Sequence, residues 1–566
     1  MPRMSGAEYL ARSLDAYGVG AIFLVPTSLS RTLFEMERLT PIKRVVTHGE
    51  KACAYMADGY ARASGRPGVA TAQNVGAANL AAGLRDPFLG CSPVVALTGG
   101  PYPWSRSRNY YQEIEDLPLF KPVTKFSAMV PDISRLPDLL LHAFRTATAG
   151  KPGPVHLEMA GHTGDITENQ EFDAEAGGEV ARVPASRSSA GSEPVARAVQ
   201  LLTQARRPVI VAGGGVRWSG AGPEVIALAE RLGAPLATSL NGKDTVPGDH
   251  PLSIGVPGLY SRASANQVLM ESDLVFYIGS QTGSQVTLDW QVPPPGTAVL
   301  QLDIDPTELG RHFPHAAGIL SDAREGLRQL LAAIPAGFRA QTPEWVPRAR
   351  AIAARWRAGE RARMASDQEP IRPERLCAEL NECLPENALI VSDTGHAGMW
   401  TGGYLDLTRP GQGYIRAAGS LGWGLPAAVG AQIAAPDRPV VLFTGDGGLW
   451  YHVAELETAA RWQVPVTVVV NNNHSLNQEI GPYTQAYGGE LTGRHHELWH
   501  FTDVDLAAMA ATMGVRGITV RRASEFAGAM EEAVEHPGPA LINVVTDMEA
   551  MAPRGNTQPA PDGLGS

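Results

Sequence analysis

The sequence predicts an α/β fold of three doubly wound domains, each built around a parallel sheet. Short apolar runs alternate with amphipathic helical stretches along the chain, which is typical of parallel sheets. Several of these runs end directly in glycine-rich or polar turns, as the buried strands of such sheets do. We place the domains at residues 1–185, 193–345 and 370–566, separated by polar or charged stretches.

Composition excludes several classes of protein. The chain has 566 residues, of which 44% are hydrophobic, so it can form several buried cores. Its 47 basic and 58 acidic residues give a net charge of −11, which argues against a nucleic-acid or anionic membrane partner. Four cysteines without CxxC spacing indicate buried thiols in a reducing compartment. We see neither a signal peptide nor a run near the ~20 apolar residues of a membrane span, and therefore expect a cytoplasmic protein.

The first block alternates strands with helices and carries one acidic residue at a strand-to-helix junction. Strands are predicted at residues 21–25, 45–47, 68–71 and 93–98, and helices at residues 7–17 and 52–63. Glu50 lies between the second strand and the following helix. A glutamate at this position is most often a solvated residue that the helix dipole favours, so its role depends on its context.

The second block follows a stretch of small and polar residues, 166–192, which we predict to be an interdomain linker. A strand at 208–211 ends in Gly213-Gly214-Gly215, a turn that hints at a nucleotide site. The turn lacks the full dinucleotide fingerprint, which argues against a nicotinamide oxidoreductase. A charged helix at 347–364 leads into the third block.

Residues 440–475 in the third block form the segment around which we interpret the rest of the chain, and we call it the organising unit. A buried strand at 440–443 ends in Gly445-Asp446-Gly447-Gly448, helical spacing follows, and a second strand at 464–470 ends in three asparagines, the last of them Asn473. In a right-handed β-α-β unit both polar clusters lie at the carboxyl ends of neighbouring strands. We therefore expect Asp446 and Asn473 to meet in space.

This pair predicts a site for a magnesium-bound diphosphate. Carboxylate and amide oxygens are ligands that Mg²⁺ prefers. Gly445, Gly447 and Gly448 leave backbone N–H groups bare, which suits a phosphate group. A glycine-aspartate-glycine turn alone is also found in ordinary strand–turn–helix units, but here about 25 residues separate it from the asparagines.

This spacing resembles the signature of thiamine diphosphate enzymes. Residues 47–80 also resemble the pyrimidine-binding region of their acetolactate synthase branch, and the likeness extends over nearly the whole chain. It implies that Glu50 forms a hydrogen bond with the cofactor's pyrimidine ring and favours the imino tautomer, which acts as the internal base. The family commonly has His directly before this Glu, whereas Gly49 stands here and His48 precedes it.

The resemblance also assigns residues to the diphosphate and the metal. Asp446 and Asn473 would bind Mg²⁺ through their side chains, and Ser475 would complete the shell with its backbone carbonyl. Gly395 and His396 match the family loop that touches the diphosphate.

The segment Gly419-Ser420-Leu421-Gly422 resembles the motif that bends the cofactor. Leu421 would wedge beneath the thiazolium ring, and the backbone groups of Gly419 and Leu421 would hold the pyrimidine ring.

On the substrate side the resemblance implies roles for Ser28, Gln112 and Glu479. Ser28 lies in a turn that carries no acid or base here. Gln112 belongs to a Gln-Glu pair that resembles that of the synthase and acyl-CoA lyase branches, in which the glutamine lines the substrate side of the thiazolium. Glu479 stands where pyruvate-type decarboxylases keep a catalytic glutamate and acetolactate synthases have an aliphatic residue. A carboxyl group there would protonate a carbanion after decarboxylation.

The middle block resembles the central domain of acetolactate synthases, which hold FAD partly through an arginine-and-aspartate segment. Here the corresponding residues, 280–287, carry no charge. We therefore do not expect FAD, and we favour a purely structural domain over an adenine-nucleotide site.

Taken together, these features predict an enzyme that uses thiamine diphosphate and Mg²⁺ to break or form carbon–carbon bonds next to a carbonyl. The whole-chain likeness favours acetolactate synthase-like carboligation of 2-oxo acids. Glu479 and the uncharged middle segment favour a non-oxidative 2-oxo acid decarboxylase or a 2-hydroxyacyl-CoA lyase. Substrates would be small 2-oxo acids, aldehydes or acyl-CoA, and the family arrangement, in which Glu50 faces another subunit's site, implies a homodimer or homotetramer.

Three further features leave alternatives open. A non-catalytic nucleotide-binding relative would have lost Glu50, Asp446 or Asn473, yet all three are present. The cluster at residues 494–500, with three histidines, invites a metal site, but a loop or helix-start role is favoured. The tail from Pro553 is rich in Pro and Gly, which predicts either a flexible end or a segment that folds across the site.

Overall fold

The structure, a computed structural model, describes residues 2–178, 180 and 182–555. Within this part of the chain lie three six-stranded sheets, each parallel throughout. The predicted α/β fold of three domains is therefore confirmed. Most of the predicted tail lies outside the described residues.

The first domain surrounds a sheet whose central strands are completely buried and mostly apolar. In spatial order its strands are Lys43–Val46, Ala21–Leu24, Gly68–Ala72, Val94–Gly99, Val155–Met159 and Phe126–Met129. Its helices are Gly6–Ala16, Ser30–Leu39, Glu50–Ser64, Ala77–Leu89, Leu117–Phe120, Leu136–Thr148 and Asp165–Asn169. The Glu50–Ser64 helix begins two residues before the predicted position, at the glutamate itself.

The prediction of a linker at residues 166–192 is wrong for its first residues. A helix occupies Asp165–Asn169, and the strand Glu171–Asp173 pairs in antiparallel fashion with Arg3–Ser5. The pairing brings Phe172 against Tyr9, with ring centroids 5.4 Å apart. This contact ties a polar segment to the first domain, although its sequence gives no strand pattern.

The central domain repeats the same architecture. In spatial order its strands are Ser253–Gly255, Leu236–Thr238, Pro208–Ala212, Leu274–Ile278, Ala298–Asp303 and His315–Leu320. Its helices are Ser192–Gln204, Gly214–Ser219, Gly222–Leu232, Ala263–Glu271, Ser284–Thr287 and Ala323–Ala333. The charged helix Trp345–Met364 then connects to the third domain.

The third domain contains the predicted organising unit at its centre. In spatial order its strands are Gly413–Arg416, Leu389–Ser392, Val440–Gly445, Thr467–Asn472, Ala540–Val545 and Arg516–Val520. Its helices are Pro373–Cys383, His396–Tyr404, Gly424–Ala434, Asp446–Trp450, Glu455–Arg461, Ile480–Ala486, Leu506–Thr512 and Phe526–Glu535. The single helix expected after Gly448 is thus two short helices, and the first begins directly at Asp446.

The first and third domains share one buried core. The helices Glu50–Ser64 and Gly424–Ala434 approach so closely that a Cβ on Gly59 would lie 2.0 Å from the carbonyl oxygen of Ala427. A Cβ on Gly430 would lie equally close to the carbonyl oxygen of Met56. Only glycine permits this approach, and it fixes the first domain relative to the third. Among the described helices, none combines the length and apolar character needed to cross a membrane.

Candidate functional site

The two polar clusters of the organising unit meet at the carboxyl edge of the third sheet, as predicted. Gly445 and Asn471 are register partners on the neighbouring strands. Beyond the strands, the backbone N–H of Ser475 donates to Oδ2 of Asp446 at 3.0 Å. The loop after the second strand therefore folds back onto Asp446.

The electrostatics of Asp446 fit a bound cation. The residue is only 3% exposed, and burial raises the pKa of its carboxyl to about 7, although backbone N–H donors oppose the shift. Asn473 is also buried, and Oγ of Ser475 and Oδ1 of Asn471 have no hydrogen-bond partner among the described residues. A divalent cation would restore the charged carboxylate and use oxygen donors of this kind.

Asp393 connects its own loop to the loop at Gly422 and to the turn that follows Thr444. Sequence reasoning missed this role. Its carboxylate accepts hydrogen bonds from the backbone N–H groups of Gly422 and Gly424, both at 3.2 Å, and from the Thr444 hydroxyl. A Cβ on Gly448 would lie 2.9 Å from Asp393 Oδ2. Burial raises the pKa of Asp393 to about 6, and these donors oppose that rise. The only available signal was its place at the end of a buried strand.

The predicted diphosphate loop and the predicted wedge lie next to each other. Gly395 has φ +66° and ψ −142°, a conformation that favours glycine. A Cβ at this position would lie 3.7 Å from Cδ2 of Leu421 and 2.8 Å from Oε1 of Gln478. Nδ1 of His396 lies 2.7 Å from Oδ1 of Asn477, and burial lowers the pKa of His396 to about 4, so its ring is neutral at neutral pH.

The Gly419–Leu421 loop is held by the first domain of the same chain. Asp86 accepts hydrogen bonds from the backbone N–H of Ala418 and of Ser420, at distances between 2.9 and 3.0 Å. Arg62 is buried and pairs with Asp86 and, more tightly, with Asp58. Burial raises the pKa of Asp86, which the Arg62 charge opposes. Sequence reasoning missed this cluster because its members lie far apart in the chain.

Glu50 lies at the start of its helix, as predicted, and contacts its own domain. Nδ2 of Asn79 donates to Oε2 of Glu50 at 3.2 Å, and a Cβ on Gly76 would lie 2.4 Å from Oε1. The neighbouring His48 turns away towards Glu457, with Nε2 at 2.7 Å from its carboxylate. The glutamate side chain is only half-buried in the single chain.

The predicted substrate residues are spread over two domains. Ser28 is buried, with its hydroxyl 3.3 Å from that of Thr71. Gln112 is half-buried and has φ +64°, in a loop whose aromatic side chains Trp104 and Tyr111 are largely exposed. No hydrogen bond among the described residues joins Ser28, Gln112 or Glu479 to one another.

Glu479 lies in a short 3₁₀ turn, Asn477–Glu479, and is half-buried. Asn477 anchors the turn, because its Nδ2 donates to the carbonyl oxygens of Met548 and Ala550. The chain up to Ala550 thus supports the turn that carries Glu479. Residues 495–498 form another 3₁₀ turn, and no group of three or more His, Cys, Asp or Glu side chains in the described part of the chain could hold a metal.

Comparison with known families finds three matching domain models in the order of the three sheets. The thiamine pyrophosphate enzyme N-terminal TPP binding domain matches residues 4–119. The thiamine pyrophosphate enzyme central domain matches residues 195–330, and the C-terminal TPP binding domain matches residues 393–544.

Similar curated proteins match over almost the full length of the chain. A probable acetolactate synthase large subunit of Methanocaldococcus jannaschii is 32% identical, over 96% of this chain and 92% of that protein. The acetolactate synthase isozyme 1 large subunit of Escherichia coli is 29% identical, over 97% and 95%. The acetolactate synthase large subunit of Corynebacterium glutamicum is 30% identical, over 97% and 88%.

Proposed function

The chain belongs to the thiamine pyrophosphate enzyme family, and we propose that it is a carboligase that uses thiamine diphosphate and Mg²⁺ to join 2-oxo acids. One 2-oxo acid would lose carbon dioxide, and its former carbonyl carbon would form a bond to the carbonyl carbon of the second acid. The full-length likeness to acetolactate synthase large subunits supports this choice over the other family chemistries. The hydrogen bond from the Ser475 N–H to Asp446 is the structural observation that supports the metal and diphosphate site.

When bound, thiamine diphosphate supplies a carbanion that adds to a carbonyl and holds the charge left by decarboxylation. Asp446 and Asn473, with the carbonyl of Ser475, would hold the magnesium ion on the diphosphate. Gly395 and His396 would face the diphosphate together with the glycines of the 445–448 turn. Because Oδ1 of Asn477 can only accept, Nδ1 of the neutral His396 ring carries the proton, and Nε2 is left as a hydrogen-bond acceptor without a charge.

Three residues would position the reactive rings. Leu421 would support the thiazolium from below, held in place through Asp393 and Asp86, and Gly419 would present its backbone to the pyrimidine. Gly419 has φ +145°, and a Cβ there would meet no atom within 4 Å, so its surface is open to a ligand. Glu50 would hold a proton at the pyrimidine ring nitrogen.

We further propose a homodimer or homotetramer in the cytoplasm, in which Glu50 of one copy reaches the third-domain site of another. Glu50 and the Gln112 loop contact no part of the Asp446 cluster through a hydrogen bond among the described residues. Exposed aromatic side chains near Gln112 support a covered surface in the assembly. All four cysteines are free thiols, consistent with a reducing compartment.

A non-oxidative 2-oxo acid decarboxylase is the second candidate, and Glu479 favours it. The residue follows Gln478, whose Oε1 would lie 2.8 Å from a Cβ on Gly395. A carboxyl group beside the diphosphate loop could protonate the carbanion instead of leaving it for a second carbonyl. Ser28 and Gln112 would line the substrate in either reaction.

The test is incubation of the reconstituted protein with pyruvate and with larger 2-oxo acids, while carbon dioxide and organic products are followed together. Carbon dioxide with a coupled product would support the carboligase, and carbon dioxide with free aldehyde alone would support the decarboxylase. No turnover of any acid would overturn both and leave a 2-hydroxyacyl-CoA lyase to be tested with acyl-CoA substrates. The Asp446→Ala variant controls for contaminating activity.

A further inference from the structure

Two buried carboxyl groups outside the Asp446 cluster have no salt-bridge partner among the described residues. Asp116 is 1% exposed and Glu158 is 2% exposed, and both belong to the first domain. Asp116 directly precedes the short helix Leu117–Phe120, and Glu158 lies in the strand Val155–Met159. The mechanism proposed above gives neither residue a role.

The contacts of these two groups leave oxygen atoms unused. Oδ2 of Asp116 accepts a hydrogen bond from Nδ2 of Asn74 at 2.6 Å, whereas Oδ1 of Asp116 has no hydrogen-bond partner among the described residues. No described residue donates to the carboxyl group of Glu158. Because a buried polar atom without a partner costs free energy, these oxygens favour a positively charged atom or a donor beside them.

Asn74 contributes a further unused oxygen, and this one belongs to a neutral side chain. The residue is completely buried, and its Oδ1 has no hydrogen-bond partner among the described residues. Since Nδ2 of the same amide is bound to Asp116, the amide group lies directly beside the carboxyl group. Acceptor atoms packed side by side in this way favour a cation or a proton between them.

The two carboxyl groups are close enough to influence each other. Burial raises the pKa of Glu158 to about 7, and the charge of Asp116 adds to this rise. Burial also raises the pKa of Asp116 to about 6, although the Asn74 hydrogen bond opposes the rise. The charge of Arg106 opposes the rise for Glu158, but the Arg106 side chain is 44% exposed and lies 3.8 Å from Glu115. The pair therefore has no buried counter-charge among the described residues.

The backbone around the pair is closely packed. The Glu158 side chain lies against Gly100, because a Cβ there would lie 2.7 Å from Oε1 of the glutamate. The backbone N–H of Asn74 donates to the carbonyl oxygen of His162 at 2.9 Å, and a Cβ on Gly99 would lie 1.9 Å from the same oxygen. Such packing disfavours a large ligand, whereas a bare ion needs about the space of one water molecule.

We propose that Asp116, Glu158 and Asn74 bind a divalent cation in the first domain through their carboxylate and amide oxygens. Two carboxylates balance its charge, and hard oxygen ligands of this kind suit Ca²⁺ or Mg²⁺. Because one ligand is an amide, the set agrees with the lack of a group of three acidic, histidine or cysteine ligands in the described chain. The competing account is a proton on Asp116 that is shared with Asn74 and leaves Glu158 without a partner.

The ion would support two segments of the first domain that carry predicted site residues. Asn74 begins the 3₁₀ turn Asn74–Gly76, and a Cβ on Gly76 would lie 2.4 Å from Oε1 of Glu50. Asp116 lies four residues after Gln112 in the same loop. A cation bound to both Asn74 and Asp116 would therefore hold the turn next to Glu50 against the Gln112 loop.

The test counts metal ions and needs no turnover. Protein reconstituted with thiamine diphosphate is dialysed against Ca²⁺ or Mg²⁺, and its metal content is measured. We expect about two ions per chain in the wild-type protein, and about one in Asp116→Asn, in Glu158→Gln and in Asp446→Ala. Because Asp446→Ala removes only the third-domain ion, failure of the proposed cofactor site and failure of this proposal are distinguishable.

Thermal unfolding distinguishes the cation from the shared proton. In the Asp446→Ala protein, addition of Ca²⁺ should raise Tm by several degrees, because the ion binds the folded chain only. The rise should disappear when Asp116→Asn or Glu158→Gln is added. Glu158→Gln keeps the hydrogen bond between Asn74 and Asp116, so it tests the site even if Asp116→Asn fails to fold. Asp437→Asn makes the same change at an exposed aspartate and should leave the rise unchanged.

A single ion per chain in the wild-type protein that Asp446→Ala removes would overturn the proposal. Equal rises in Tm with Asp116→Asn and with Asp437→Asn would place the ion elsewhere and overturn the assignment to Asp116. A Tm of the Asp446→Ala protein that neither Ca²⁺ nor Mg²⁺ changes would overturn the cation in favour of the shared proton.

Discussion

The region around Asp446 in the third domain is more completely formed within one chain than the region around Glu50 in the first domain. Asp446 and Asp393 are buried, and both carboxylates accept hydrogen bonds from loops of the same domain. Around Glu50 and Gln112 the side chains are half-buried, and the neighbouring aromatic residues are exposed. This contrast supports our proposal that one chain forms the half-site for metal and diphosphate, whereas the half-site around Glu50 is completed by a second copy.

The largest expected effect is a loss of turnover without a loss of cofactor binding. Glu50→Gln removes the ionisable group but keeps the side-chain shape and the contact with Asn79. We expect turnover to fall about 100-fold or more, as for loss of a general acid–base group, while thiamine diphosphate affinity changes little. Steady-state kinetics and calorimetry on the same samples measure both. Unchanged turnover would remove the proton-relay role from Glu50.

A substitution at the contact between the first and third domains should have the next largest effect. Asp86→Asn removes the charge that pairs with Arg62 and weakens the support of the Leu421 loop. We expect the free energy of unfolding to fall by about 2 kcal/mol and cofactor affinity to fall with it.

The matched control is Asp138→Asn, because Asp138 pairs with Arg135 on the surface. That variant should be destabilised by less than about 1 kcal/mol. Denaturant unfolding compares the two, and equal stability losses would contradict a special role for Asp86.

The pH dependence of cofactor binding should reflect Asp446. Its pKa of about 7 lies above the usual value, so the cofactor-free protein loses stability as pH rises from about 4 to 7 and the carboxyl ionises. Protons therefore compete with Mg²⁺ below pH 7, and affinity should be roughly tenfold weaker at about pH 6 than at about pH 8. Calorimetry, corrected for protonation of the free cofactor, measures this, and a flat profile would contradict it.

The smallest expected effect concerns the exposed aromatic surface. Trp104 and Tyr111 are 60% and 78% exposed, and the double variant Trp104→Ser/Tyr111→Ser should weaken self-association several-fold. Phe34 is 61% exposed on the same domain, and Phe34→Ser is the control with no expected change. Sedimentation experiments measure the subunit equilibrium. Equal behaviour of the two variants would place the contact between copies elsewhere.

The same contrast explains what could be predicted from the sequence. The meeting of Asp446 with the loop after Asn473 follows from one continuous β-α-β unit, so local pattern sufficed. Asp86 and Ser420 are 334 positions apart, and nothing in either neighbourhood of the sequence indicates their hydrogen bond. The strand Glu171–Asp173 was missed because three residues are too few to establish a strand pattern, and the strand is defined by its pairing with Arg3–Ser5.

Calorimetric titration of the protein with thiamine diphosphate, with and without Mg²⁺, tests whether Asp446 holds a metal ion on the diphosphate. We expect tight binding that requires Mg²⁺ in the wild-type protein and in the Glu50→Gln variant. We expect loss of that Mg²⁺-dependent binding in Asp446→Ala, because the buried carboxylate that receives the Ser475 N–H is gone. Retained Mg²⁺-dependent affinity in Asp446→Ala would contradict the proposed metal site.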